Sequence, residues 1–293
     1  MFRSGPSQAA PGSTLRIAAG RRLVFEANSA TATDERLRVY LSDMVAPYGL
    51  AYHDELRQAG LGQSYAEMCQ PLVESLATEP IDLLVLAHQV HDLRPGQATS
   101  IYLGHLCPGD PLALTVCDQG SAAPFAALRL IQTYARTRTV RRALLLVAEQ
   151  SVVHYDLPEP APVPSRHAAV GLLLDAEAGM ALAPVRQRAA VPPEQLRSAL
   201  AAEIDALCPD PGSRTLLLGA GLDPDDAAGI PVEELVPAPA GQPCTGAWWQ
   251  LAGDVSRWQA ETGLLLVADY ERALGYLSVS LLQSVRQPAG IGA

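Results

Sequence analysis

The sequence predicts an α/β protein with buried strands, built from two halves of similar element order. Apolar runs of strand length occur at Ile81–Ala87, Ala143–Ala148 and Arg214–Ala220. Such runs are typical of strands buried on both faces of a parallel sheet. In each half an apolar strand, a helix and a strand precede a final strand pair. We therefore expect two halves, residues 14–184 and 185–293, packed as one body.

Composition limits the possible classes of function. The chain has 293 residues, of which 48% are hydrophobic, and this is enough for a sizeable core. Its net charge of −10 argues against nucleic-acid binding, which needs a basic surface. No apolar run approaches the ~20 residues that span a bilayer. Residues 1–13 are predicted to be a disordered lead without a secretory signal, so the expected compartment is the cytoplasm.

The five cysteines are odd in number, widely spaced and without a CxxC pair. This pattern favours reduced thiols over a disulfide framework or a zinc site.

Helix signals divide the first part of the chain. A helix is predicted to start at Asp34, where Thr33 or Asp34 can act as N-cap. Another is predicted over Ser64–Leu76, where Ser64 and Glu67 have the spacing of a capping box. The other elements predicted here are strands at Leu15–Ala18 and Leu23–Glu26 and a short helix at Thr99–Leu106.

The second part starts with a proline-rich extended loop over residues 157–165. Ala168–Asp175 and Met180–Pro184 are predicted to pair as a hairpin, and residues 221–246 are predicted to be rich in loops. The remaining elements are predicted as helices at Pro193–Leu207 and Ala247–Trp258 and strands at Gly263–Asp269 and Tyr276–Leu282.

A strand–turn–helix corner lies at the centre of the chain. The strand Leu112–Val116 runs into the turn Asp118-Gln119-Gly120-Ser121, and a long helix follows at once. Ser121 thus stands where a helix N-terminus directs N–H groups and positive potential outward. Such a corner suits an acyl-transfer nucleophile and its oxyanion. An ordinary N-cap serine is the alternative.

These segments carry a family likeness. The order IDLLVLA, YLGHL, strand–turn–helix and VRRALLLVAEQS resembles the thiolase-like condensing enzymes, above all the ketoacyl-acyl-carrier-protein synthase III branch. The likeness covers about residues 14–290 and aligns Ser121 with the family's catalytic cysteine. It implies a five-layer αβαβα fold with two pseudo-equivalent halves, usually dimeric. It also implies acyl chemistry on thioesters of coenzyme A or of an acyl carrier protein.

The sequence departs from this family where the chemistry resides. The family's "HQAN" histidine should follow the strand Leu216–Leu218, but Gly219–Asp223 reads GAGLD, and no histidine follows His167. Cys244 stands at the family's asparagine, and His167 stands at the acidic residue of its "GDGA" turn. Losing one oxyanion donor costs roughly 3–4 kcal/mol, so losing two would stop ordinary condensation.

A serine nucleophile needs a base within hydrogen-bond reach. The candidates are His154, which Asp156 would orient, and His167; a loop histidine is the alternative for each. His88 and His91 form an H-x-x-H pair without a carboxylate or cysteine cluster, so no metal or other cofactor is expected.

Two cysteines and an arginine cluster also have candidate roles. Cys244, before a helix N-terminus, is predicted to have a lowered pKa, whereas Cys117 is expected to point into the core. Four arginines cluster at the end of the long helix: Arg136, Arg138, Arg141 and Arg142. Their positive charges are expected either to complement the negative end of the helix dipole or to bind an acidic carrier protein.

The sequence leaves three functional hypotheses. The first is an acyltransferase of specialised metabolism, in which Ser121 carries an acyl group from a coenzyme A or carrier-protein thioester to a small acceptor. The second is a catalytically silent partner of an active ketosynthase-like paralogue, so that the dimer is either homomeric or heteromeric. The third is a thioesterase-like hydrolase.

Overall fold

The structure is a computed structural model that describes residues 14–137, 140–157, 163–210, 212–261 and 263–284. The predicted lead, residues 1–13, lies outside the described residues, as do positions 158–162 of the predicted loop. The strands are β1 (Arg16–Phe25), β2 (Leu83–His88), β3 (Leu112–Val116), β4 (Arg142–Glu149), β5 (His167–Asp175), β6 (Met180–Leu182), β7 (Arg186–Arg188), β8 (Arg214–Leu218), β9 (Glu234–Pro237), β10 (Leu264–Glu271) and β11 (Tyr276–Gln283). The α-helices are α1 (Glu35–Val45), α2 (Asp54–Gln58), α3 (Tyr65–Leu76), α4 (Thr99–Leu106), α5 (Ala123–Thr137), α6 (Leu196–Leu207), α7 (Gly246–Gly253) and α8 (Val255–Ala260).

One strand arrangement occurs twice. In the first half the order is β3-β2-β4-β5-β1, with β2 parallel to β3 and β4 and with β5 antiparallel to β4 and β1. In the second half the order is β9-β8-β10-β11-β7, with the same parallel and antiparallel pairings. The short β6 pairs with β1 and β11 and so joins the two sets. The predicted boundary at residues 184 and 185 falls between β6 and β7 and stays a prediction.

The strands β2, β4, β5 and β10 are buried on both faces, and this produces the layers. Alternate residues of β2, such as Val85, face a central core that contains Phe125 of α5 and Trp248 of α7. The intervening residues, such as Leu84, face α3 and α4. The outer face of the second half packs against α6. Helices therefore cover both faces of the sheets, as the αβαβα prediction requires.

The structure corrects the predicted hairpin of Ala168–Asp175 with Met180–Pro184. β5 lies between β4 and β1, whereas β6 pairs with the opposite edge of β1. The connection crosses the start of β1 at Gly179, where φ is 112° and a side chain would overlap the backbone carbonyl of Ile17. Local pattern suggested the pairing, but β5 is apolar on both faces and is more stable inside the sheet.

Smaller corrections concern boundaries. The two short strands predicted at the N-terminus form one strand, β1, with a register shift between Ile17 and Ala19. Strand β9 was missed within the predicted loop region. The single helix predicted over Ala247–Trp258 is two helices, since Asp254 leaves helical geometry and its side chain caps α8 by accepting from Arg257 N at 3.1 Å.

No helix in the described part of the chain is long and apolar enough to cross a membrane.

The capping box predicted at Ser64 is present. Ser64 Oγ accepts from the backbone N–H of Glu67, and the Glu67 carboxylate accepts from the backbone N–H of Ser64. We expect Ser64→Ala to lower the free energy of unfolding by about 1 kcal/mol, because one N–H of α3 loses its partner. Urea unfolding measures this, with Ser198→Ala on α6 as an exposed control. A change equal to the control's would contradict the role of the cap.

Candidate functional site

The corner at Ser121 is built as the sequence predicts, but its anion-binding position is occupied. A short 3₁₀ turn over Gly120–Ala122 leads from β3 into α5, and Ser121 is 5% exposed. The backbone N–H of Ser121 donates to Oε2 of Glu271 at 2.7 Å. Gly120 has a φ of 54°, and a side chain there would overlap the Glu271 carboxylate. A carboxylate of the chain itself thus takes the positive end of the corner.

A second carboxyl group, from Asp269, lies beside the Ser121 hydroxyl. Burial raises the pKa of Asp269 to about 7, although the N–H groups of Gly221 and Tyr270 and the Ser121 hydroxyl oppose the rise. Gly221 N donates to Asp269 Oδ1 at 3.0 Å, and Tyr270 N donates to the same atom at 2.8 Å. The Ser121 Oγ itself makes no hydrogen bond of standard geometry. Ser121 thus supplies a buried hydroxyl, and Asp269 supplies a potential base beside it.

The equivalent corner of the second half is capped in the same way. Glu149, the last residue of β4, accepts from Cys244 N at 2.8 Å and from Thr245 N at 3.2 Å, and the Thr245 hydroxyl also donates to it. Glu271 is likewise the last residue of β10, which holds the place of β4 in the second half. Each half thus sends a strand-end glutamate to the helix N-terminus of the other half. Burial raises the pKa of Glu149 to about 7.

No protein-family model matches this sequence, and no curated protein matches it. Solved structures do. AbyA1, a tetronic acid condensing enzyme, superposes on this chain with a TM-score of 0.65 at 14% sequence identity. The superposition covers 92% of this chain and 100% of AbyA1. The fold is thiolase-like. A 3-oxoacyl-(acyl-carrier protein) synthase from Burkholderia xenovorans covers 93% of this chain and 95% of its own, with a TM-score of 0.59 at 17% identity. ChlB3, described as an acyltransferase, covers 93% and 98%, with a TM-score of 0.58 at 16% identity.

The thiolase-like fold is thus that of ketoacyl synthase III-type enzymes, as the sequence motifs implied. The structure explains why a histidine does not follow β8. A side chain at Gly219 would overlap the carboxyl carbon of Asp269, so Asp269 fills the space that a residue larger than glycine would need. The alignment of Ser121 with the catalytic cysteine of this fold stays a prediction.

The two histidines predicted as bases make their hydrogen bonds elsewhere. His154 Nε2 lies 2.6 Å from the carbonyl oxygen of Leu61. His167 Nδ1 accepts from Ser151 N at 3.3 Å. Burial lowers the pKa of both imidazoles. No hydrogen bond or ion pair among the described residues joins either histidine to Ser121.

Asp156, predicted to orient His154, pairs instead with His53, its Oδ1 lying 2.9 Å from Nε2. The residues that do line the corner, Asp269 and Glu271, were missed by sequence reasoning. One signal was available, since both continue the inward-facing alternation of β10 past its apolar residues.

The cysteine predictions need correction. Cys244 is buried, and burial together with nearby Glu149, Asp269 and Glu271 raises its pKa well above the usual range, the opposite of the helix effect expected. Cys117 is half-buried rather than in the core, and its thiol donates to Asp118 Oδ2 at 3.1 Å. All five cysteines are free thiols.

The arginine cluster is largely engaged within the chain. Arg141 pairs with Glu177, and Arg142 pairs with Glu79 and, at 3.7 Å, with Asp175. Arg138 lies outside the described residues. The predicted docking of an acidic carrier protein would have to compete with these ion pairs.

In the described ranges, no group of three histidine, cysteine or acidic residues is placed to hold a metal ion, and His88 Nδ1 bonds the carbonyl of Val90 at 2.9 Å.

Proposed function

We propose that this chain is a non-catalytic ketosynthase III-like subunit that assembles with a catalytically active partner of the same fold. One observation carries the proposal: the carboxylate of Glu271 accepts the Ser121 N–H, which is the donor that an acyl oxyanion would need. The chain therefore fills its own reaction centre. Assembly with an active ketosynthase gives such a fold a role that does not require turnover.

The energetic argument is electrostatic. A tetrahedral acyl intermediate places negative charge on an oxygen that must receive preorganised donors, and removing one donor costs about 3–4 kcal/mol. At the Ser121 corner the donor is engaged, and Glu271 would face the new anion. Two unit charges 4 Å apart repel by about 4 kcal/mol at an effective dielectric constant of 20. Both terms raise the barrier for acyl transfer at Ser121.

A second function, acyl transfer through Ser121, is favoured by a different observation. The Ser121 hydroxyl is buried without a hydrogen bond of standard geometry, and burial raises the pKa of the neighbouring Asp269 to about 7, where a general base is effective. In this reaction Asp269 takes the hydroxyl proton as Oγ attacks the thioester carbonyl, and the thiol leaves with a proton. The acyl group would come from a coenzyme A or carrier-protein thioester and pass to a small acceptor of specialised metabolism. Neither function requires a resident cofactor.

Intact-protein mass spectrometry separates the two functions. The wild type, Ser121→Ala and Cys244→Ala are incubated with acetyl-, malonyl- and octanoyl-coenzyme A and with the corresponding carrier-protein thioesters, while free thiol release is followed to detect hydrolysis. An active ketoacyl synthase III serves as the positive control. We expect no adduct on the wild type and no thiol release above background.

An adduct that only Ser121→Ala abolishes would overturn the non-catalytic proposal and establish the serine nucleophile. An adduct that only Cys244→Ala abolishes would contradict both functions.

A further inference from the structure

Three buried carboxyl groups without a cationic partner lie between the two helix N-termini. Glu149 ends β4, and Asp269 and Glu271 lie at the end of β10. Their exposed fractions are 0%, 3% and 7%. Among the described residues, none of the three takes part in an ion pair. A buried ionised carboxylate is costly unless a positive group balances it. We call the place shared by these three side chains and Cys244 the central site.

The thiol of Cys244 shows that the three carboxyl groups share one place. Burial, together with the nearby charges of all three, raises the pKa of this thiol well above its usual range, and the thiol accepts from the backbone N–H of Gln89. The titratable and charged groups around the central site are Tyr65, Glu149, Arg166, Cys244, Asp269 and Glu271. Of these only Arg166 is cationic, and it is exposed and acts on Glu149 from the position before β5.

The two helix N-termini do not reverse the negative potential of the central site. Their N–H groups already donate to carboxylates, Ser121 N to Glu271 at 2.7 Å and Cys244 N to Glu149 at 2.8 Å. A helix terminus carries about half a unit of positive charge, so two termini offset about one unit. Three ionised carboxylates exceed this, and the ionised central site is therefore negative by about two units.

Unpaired oxygen atoms indicate which ligand the central site fits. The side chain of Gln242 is 0% exposed, and its Nε2 donates to Thr245 Oγ1 at 2.9 Å. Thr245 in turn donates to Glu149, whereas Oε1 of the same Gln242 amide has no donor. Gln89 Oε1 and Ser121 Oγ are also buried without a hydrogen bond of standard geometry. A ligand with several N–H donors and a positive charge satisfies both the oxygens and the carboxylates.

We propose that the central site binds a primary ammonium group, either the free ammonium ion or the charged end of a small amine. Its N–H groups donate to the unpaired oxygens of Gln242, Gln89 and Ser121, and its charge offsets the carboxylates. A metal ion fits less well, because in the described ranges no three histidine, cysteine or acidic residues are placed to ligate one. The inference goes beyond the proposed function, since it assigns a ligand to the centre of a subunit that performs no turnover.

Urea unfolding at pH 8 and constant ionic strength tests the proposal, because a ligand that binds only the folded chain stabilises it. Glu149 and Asp269, whose pKa values burial raises to about 7, are mostly ionised at this pH. The wild type is compared in the chlorides of ammonium, methylammonium, sodium and tetramethylammonium. We expect a higher urea midpoint in ammonium than in sodium, growing with the logarithm of the ammonium concentration, and no such rise in tetramethylammonium, which has no N–H group. A rise with ammonium alone would assign the free ion, and a rise with methylammonium as well would assign the charged end of an amine.

Two variants locate this response. Asp269→Asn removes a carboxylate, and Gln242→Met keeps the side-chain length without the amide oxygen. Each should abolish the difference between ammonium and sodium, whereas Gln195→Met, at an exposed glutamine, should keep it. Comparing two salts within one variant cancels the effect of the substitution on stability itself.

Three results would overturn the proposal: equal wild-type midpoints in ammonium and sodium, an equal rise in tetramethylammonium, or a difference that survives both variants. Acylation of Ser121 in the mass-spectrometry experiment would refute the non-catalytic function but leave the salt comparison unchanged. The two failures can therefore be told apart.

Discussion

The free energy of unfolding should fall by several kcal/mol as the pH rises from about 4 to about 7. Burial raises the pKa values of Asp269 and Glu149 to about 7, from ordinary values of 3.8 and 4.5. Between about pH 4 and about pH 7, the carboxyl groups of Asp269 and Glu149 are ionised in the unfolded chain but protonated in the folded chain. The free energy of unfolding therefore decreases as the pH rises. Each group contributes about 1.4 kcal/mol per pH unit, or about 3–4 kcal/mol over its whole range.

The carboxylates of Asp34 and Asp54, on the surface, act in the opposite direction. Their hydrogen bonds to Arg36 and Arg57 lower their pKa values, that of Asp34 to about 2, so their contribution is lost only as the solution becomes strongly acidic. We therefore expect maximal stability near pH 4.

Urea unfolding at half-unit intervals from pH 4.5 to 8 measures this dependence. Glu149→Gln cannot ionise and should remove about half of the slope, whereas Asp225→Asn, in an exposed 3₁₀ turn, should leave it unchanged. A wild-type stability that rises between pH 5 and 7 would contradict the burial of two acids with raised pKa values.

Replacing Gly219 by alanine should destabilise the protein by about 3 kcal/mol, the upper range for forcing an extra group into a packed site. The cause is specific, since the new Cβ would overlap the Asp269 carboxyl carbon. In Asp269→Ala that carboxyl group is absent, so adding Gly219→Ala to it should cost much less. The double variant should therefore be more stable than the sum of the two single changes by about 1–3 kcal/mol.

A double-mutant cycle by chemical unfolding tests this coupling. Gly212→Ala, at a position with open space around it, is the control for adding a methyl group to a glycine. Additive single changes would show that Asp269 does not fill the space beside Gly219, and the explanation given for the glycine after β8 would be lost.

The sequence by itself determined the α/β class, the buried strands and the corner. Runs such as Ile81–Ala87 are apolar at every position, so they predict strands covered on both faces, and the structure has β2 there. The corner at Ser121 followed from a strand, a glycine turn and a helix in immediate succession. These signals are local, because the strand period, the turn residues and the helix start all lie within a few positions of one another.

Only the tertiary structure decided what surrounds Ser121. Asp269 and Glu271 are about 150 residues further along the chain, and local pattern cannot show that β10 directs them at the N-terminus of α5. The same holds for Glu149 at the second corner and for β6, which pairs with β1 and β11 instead of forming the predicted hairpin. Burial then reverses the helix effect expected at Cys244, since the desolvation of charge outweighs a helix terminus once carboxylates share the site. Chemistry at this corner thus depends on long-range packing, which sets both the distances and the cost of ionising each group.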